Sequence, residues 1–248
     1  MHSKAPRSLA RLWQDGVRGA LLTFCTWLAG AIPAIASEKI ISARFTDPTT
    51  RYPHGVLGDR IEYGTLDLVL QNKTISVHLP PDRVFEDLAP RMVDIDQNGT
   101  LEVVVVESQA QTGAQLAIYD ALGQKIASTP HIGTRFRWLA PVGAADLDGD
   151  GHIEIAYIDR PHLAKTLRIW RFTNGDLTEI ASLTGLTNHK IGEDFISGGL
   201  RNCDERPELI VASADWSRII SVSYNNEWTK TDIGPFTGPE SFTQALKC

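Results

Sequence analysis

The sequence predicts an all-β protein made of repeated four-stranded units, and three observations carry that reading. "LAPRMVDIDQNGTLEVVVVES" from Leu88 and "LAPVGAADLDGDGHIEIAYID" from Leu139 are two copies of one segment. Each runs from Leu-Ala-Pro through a DxDx[DN]G loop to a Glu and then into a β-branched run. The leading aspartates, Asp94 and Asp146, lie 52 residues apart. A further 54 residues on, "LRNCDERPELIVASAD" keeps Asn202, Asp204 and Glu208 at the third, fifth and ninth loop positions. There the first carboxylate has become Leu200 and the glycine Glu205, so the strand survives and most of the loop does not. Finally, the same succession of short apolar runs follows each copy.

Taken in order, the chain opens with a basic head, Lys4, Arg7, Arg11 and Arg18, followed by the apolar run Ala20 to Ala36. Ala34-Ile35-Ala36 fits the small-x-small rule for signal peptidase, and the run is short for a bilayer span. Residues 1–36 therefore read as a cleaved export signal and 37–248 as a single domain, secreted or periplasmic. Removing the signal takes four of the 24 basic and one of the 30 acidic side chains, leaving a net charge of −9. Such a surface repels phosphate backbones and argues against nucleic acid as a partner. No later run is apolar enough to span a membrane. Cys203 and Cys248 are the cysteines that remain; an even pair in an oxidising compartment suggests a disulfide, with two free thiols the alternative.

"HGVLGD", "TLDLVLQ" and "TISVHLP" read as a diverged first unit without an acidic loop. After "LEVVVVES" come "AQLAIYD" and "KIASTP"; after "IEIAYID" come "TLRIWRF" and "LTEIASL"; after "ELIVASAD" come "RIISVSY" and "WTKTDI". These runs are rich in Val, Ile, Thr and aromatics and are parted by Gly, Asn and Asp turns. Counting the strand that enters each loop, every unit has four strands. Four-stranded units at this period are the pattern of β-propeller blades, stacked so that each sheet buries its neighbour's face. Division of the domain by the period predicts a small propeller or propeller-like array of about four blades, alternatively five, closed or incomplete. A β-sandwich with two similar hairpins is the competing architecture.

"AADLDGDGHIEIAYI" and "VDIDQNGTLEVVVV" resemble the FG-GAP/VCBS repeats of integrin α-subunit propellers and of many exported bacterial proteins. The likeness covers roughly residues 85–215. It implies calcium held by the loop between the first two strands of a blade, through the first, third, fifth and ninth positions. The ninth position here is Glu102 or Glu154 where the family has Asp, and neither FG nor GAP elements are clear.

The residues support the same chemistry independently. Calcium takes six to eight oxygens in flexible geometry, and side chains at alternate positions of a tight loop can converge on one centre. Glycine at the sixth position permits the reversal, and the seventh offers its carbonyl. One set is Asp146, Asp148, Asp150, the His152 carbonyl and Glu154; the other is Asp94, Asp96, Asn98, the Thr100 carbonyl and Glu102. An EF-hand would need a carboxylate at position 12, where Val105 and Tyr157 stand. All-oxygen ligands argue against zinc. A polar turn capping its own backbone is the plain alternative, but closely packed carboxylates repel without a cation. Four carboxylates against three predict tighter binding at the Asp146 loop.

No GxSxG elbow, Walker loop or HExxH occurs. Ser197 in "FISGG" has no assignable base, and Gly198-Gly199 read as a close strand approach. His54, His78, His131, His162 and His189 are scattered, the last two on segments that read as exposed loops. Trp138, Trp170, Trp216 and Trp228 read as packing between units. The sequons at Asn72 and Asn98 read as chance matches. The leading functional expectation is a non-enzymatic module presenting loops to a protein or glycan. The alternative is a periplasmic hydrolase or lyase with histidine and carboxylate in a central channel, and a third is an envelope scaffold.

Overall fold

The computed structural model describes residues 39–203 and 206–248. The proposed signal segment and the third-loop residues Asp204 and Glu205 lie outside the described residues. Seventeen strands and one short helix are present among the described residues, and every strand pairing is antiparallel. The chain is therefore all-β. No described helix is long and apolar enough to cross a membrane.

Strands β1 (Ile40–Thr49), β2 (Glu62–Leu70) and β3 (Thr74–His78) form the first group, with β2 between the other two. The second is a meander of β5 (Arg91–Val93), β6 (Glu102–Gln109), β7 (Gly113–Tyr119) and β8 (Lys125–Ser128). Strand β4 (Arg83–Phe85) pairs with both β2 and β6, which joins the two groups into an eight-stranded sheet. The third group is the meander β9 (Leu139–Ala145), β10 (Glu154–Asp159), β11 (Thr166–Thr173) and β12 (Asp176–Thr184). The fourth runs β14 (Gly199–Arg201), β15 (Glu208–Ser213), β16 (Arg218–Tyr224) and β17 (Trp228–Pro235), with β13 (Leu186–Thr187) beside the far end of β15. The repeated order of four strands thus appears three times, as the repeat predicts.

The entering strand differs among the groups. In the third, β9 runs unbroken along β10 with one register shift. In the second it is split into β4 and β5, and in the fourth into β13 and β14 around an insert at 188–198. Two readings of the first group need correction. "HGVLGD" is not a strand but a loop, with Gly55 and Gly58 at positive φ. The edge strand β1 was not foreseen, because its mostly exposed residues carry no clean alternation.

Period-two alternation explains why the central strands are apolar throughout. Val103 and Val105 of β6, with Ala117 and Tyr119 of β7, pack against Leu66, Leu68 and Phe85. Val104, Val106, Leu116 and Ile118 face the other way, onto Trp138, Ile155, Tyr157, Trp170 and Phe172. Ala156 and Ile158 then face Leu209, Val211 and Val222 of the fourth group. A strand buried on both faces reads as a continuous hydrophobic run, and each fully buried aliphatic side chain contributes roughly 1.5–3 kcal/mol. On the last sheet Ile210, Ala212 and Ile219 would face water; helix α1 (Glu240–Ala245) covers them with Phe242. The bridge Cys203–Cys248 ties the chain end to the fourth group, with the two Cα atoms 5.2 Å apart.

Candidate metal centre

The two acidic loops connect equivalent strands, β5 to β6 and β9 to β10, and their backbones coincide in detail. Gly99 and Gly151 have φ of 85° and 87°, which only glycine adopts without strain. The ninth-position carboxylate turns back to accept the second-position amide: Ile95 N–H to Glu102 at 3.0 Å, Leu147 N–H to Glu154 at 2.8 Å. The first carboxylate accepts from the sixth amide, Gly99 to Asp94 and Gly151 to Asp146, both at 3.0 Å. Amides of Asn98 and Asp150 donate to Asp96 and Asp148, and those of Thr100 and His152 donate to Asn98 and Asp150. Ile95 and Leu147, the second residues, are buried in successive inter-sheet cores. Each loop is thus pinned by one apolar side chain and by the buried glutamate that opens the next strand, while its aspartates stay more exposed. In the third copy that position is Arg201, and the pin is gone.

Asp94, Asp96 and Glu102 bring one oxygen each within 4.8 Å of the others, and so do Asp146, Asp148 and Glu154. Ligands across a calcium ion at about 2.4 Å span no more than about 4.8 Å, so both groups fit a single ion. Asp94 supplies a further sign: its Oδ1 is buried without a hydrogen-bond partner. Burial pushes the Glu102 and Glu154 carboxyls above their ordinary range, neighbouring aspartates adding to the effect. At the fifth position, Asn98 and Asp150 each accept an amide of their own loop, and Asn98 also donates to Asp96 at 2.8 Å. Asp150 lies outside the three-carboxylate group.

The loops touch. Gln97, in the left-handed region at φ 58°, donates to the Gly151 carbonyl at 2.5 Å. Its counterpart is Gly149, at φ 78°; a side chain there costs roughly 1–2 kcal/mol. A groove of about 570 Å³ lies between them, lined by residues that include Asp96, Gln97, His152, Phe172 and Asn174.

One residue of this cluster escaped the sequence reading. Arg171 of β11 lies directly across from Glu154 of β10 and pairs with Glu154 and Asp150 at 2.8 Å each, and with Asp148. Strand pairing carries the signal: it follows once β10 and β11 are placed in register as a hairpin.

Away from these loops, histidines and carboxylates converge where the entering strands meet. His54 Nδ1 lies 2.5 Å from the fully buried Glu86, whose other oxygen accepts from Ser108. His162 and His189 are 3.0 Å apart, His189 also donates to the Glu193 carbonyl, and its ring meets Trp138. His189 is fully buried and His162 half-buried, so neither lies on the exposed loop expected for it. Burial, with His189 adding to it, lowers His162 to about 4, so the pair is neutral at pH 7. The Glu86 oxygens are taken by the His54 and Ser108 side chains, and both His189 ring nitrogens are taken by His162 and the Glu193 carbonyl, as a structural hub requires. Ser197 is buried beside Gly198, where any Cβ would collide with the Ile210 carbonyl. The glycine pair there permits a close strand approach.

The fold and its paired loops define an all-β repeat protein whose unit-opening connections are acidic. The chain carries an FG-GAP-like repeat: residues 94–157 match that family model, from the first acidic loop into β10. No curated protein and no solved structure matches the chain.

Proposed function

We propose that this protein is an exported, propeller-like binding module of about four units, spanning residues 37–248, whose loops calcium stabilises. The observation that carries the reading is the coincidence of the two loops. They share four hydrogen bonds, one glycine conformation and a buried second residue, yet leave charged oxygens converging. Asp94, Asp96, Asn98, Glu102 and the Thr100 carbonyl would hold one ion; Asp146, Asp148, Asp150, Glu154 and the His152 carbonyl would hold the other. Bound calcium supplies the positive charge that offsets carboxylate repulsion and fixes each strand connection. Face-to-face packing of successive sheets supports the propeller-like arrangement. The groove between the loops is the surface this reading offers to a protein or glycan.

Thermal melting in calcium and in chelator tests the ion. A ligand at a hundred times its Kd adds about 2.7 kcal/mol, which for a domain of this size raises Tm by roughly 5–10 °C. Equal melting temperatures would sink the calcium reading. Affinity capture from the native envelope, with and without calcium, tests the partner; capture indifferent to the ion would separate binding from the loops.

A further inference from the structure

We infer that Arg171 is a resident cation of the Asp146 loop, so that the loop with fewer carboxylates, at Asp94, is the tighter calcium site. This rests on the calcium reading and reverses the order that counting carboxylates predicts. Three observations carry it. First, the Arg171 guanidinium engages Asp148, Asp150 and Glu154, two of which belong to the group that converges on the ion position. Arg206 adds a second positive charge, its Nε 3.1 Å from where a Cβ on Gly149 would sit.

Second, the Asp94 loop has no such partner. Continuing the β6–β7 register by one residue places Asp120 where the sister hairpin has Arg171. Asp120 is tied into its own turn, accepting the Leu122 and Gln124 amides at 2.9 and 2.8 Å. Among the described residues no ion pair reaches Asp94, Asp96 or Glu102, and the Asp94 Oδ1 is left orphaned. Third, the degenerate copy has gone further in the same direction. Its ninth-position Glu208 is taken by Arg201, at 2.8 Å from Nε. Along the chain the three loops run from uncompensated, through arginine-compensated, to arginine in place of the pinned second residue.

A guanidinium fork and a calcium ion compete for the same carboxylate oxygens, since ligand charge sets calcium affinity and Arg pairs carboxylates strongly. Arg171 keeps the Asp146 loop ordered when calcium is scarce and must swing aside when it is not. The Asp94 loop depends on the ion at all times.

Calorimetric titration of the purified, disulfide-intact protein with calcium tests this. Wild type should show one tight site, lost in Asp96→Asn, and a second weaker by about tenfold or more. Arg171→Gln should tighten the second site by about tenfold and leave the first within threefold. It should also lower Tm in chelator, where the carboxylates lose their counter-ion. Arg171→Lys, which keeps the charge and most of the stem, should fall between and guards against a folding defect. A second site unchanged or weakened in Arg171→Gln overturns the role of arginine alone. Absence of calcium heat in wild type and in every variant overturns the calcium reading and this inference with it.

Discussion

Glu62 is buried beside Glu86 and Asp87, and no cation is paired with it among the described residues. Burial, with these carboxylates and Asp59 adding to it, pushes it up to about 9. The folded chain then holds a proton that the unfolded chain has released above about pH 4.5. Stability is full below that pH and falls as pH rises towards 9. Glu62→Gln should remove this decline, raising stability at pH 8 by about 3–5 kcal/mol, seen as a Tm higher by roughly 6–20 °C. A parallel pH dependence in the two proteins would count against it. Glu62 drew no notice in the sequence because a lone Glu at a strand start looks like any solvated one. The acidic loops were legible for the opposite reason: Asp94 to Glu102 and Asp146 to Glu154 are local, and spacing of oxygen ligands within nine residues is a property of the chain itself. Arg171 lies 17 positions beyond Glu154, and only the β10–β11 register brings them together.

Each acidic loop is held to its sheet by one apolar side chain, and this gives the loop a mechanical prediction. Leu147→Ala, in a site exposed by about 1%, should cost about 2–4 kcal/mol in urea denaturation. It should also weaken calcium binding at the Asp146 loop, because the backbone that aims Asp146 and Asp148 is no longer pinned. An unchanged affinity would mean that the hydrogen-bonded turn alone shapes the site. Helix α1 is too short to be stable alone, and its contribution is Phe242. Phe242→Ala should expose the last sheet and cost about 3 kcal/mol, read by thermal melting, with Ile210 and Ile219 newly accessible to a hydrophobic dye. That helix was not anticipated, since six residues offer no period to read. The insert at 188–198 likewise looked like an exposed loop; His189, Asn188 and Ser197 are buried there because the segment folds back between entering strands.

The molecule as a whole is a succession of sheets packed face to face, and its cores alternate along single strands. Val103 and Val105 belong to one core, Val104 and Val106 to the next. The bridge from Cys203 to Cys248 closes the end of this stack, confirming the pairing that an even cysteine count suggested. With its cysteines 45 positions apart in the chain, Cys203→Ser with Cys248→Ser should cost about 2–4 kcal/mol. Its first consequence should be faster hydrogen exchange in β14 and α1, with the second and third groups little changed. Uniform loosening would mean that the bridge holds more than the end of the stack. What the sequence determined by itself was the all-β class, the repeat, the four-strand order and the converging carboxylates. Each of these is encoded in alternation, turn residues and short-range spacing. Only the tertiary structure decided which strands share a sheet, that β4 fuses the first two groups, that His162 meets His189 and His54 meets Glu86, and that an arginine sits in one acidic loop and not in the other. Those features depend on register and on which faces meet, and a one-residue slip in either would leave the sequence pattern almost unchanged while moving every side chain to the opposite face.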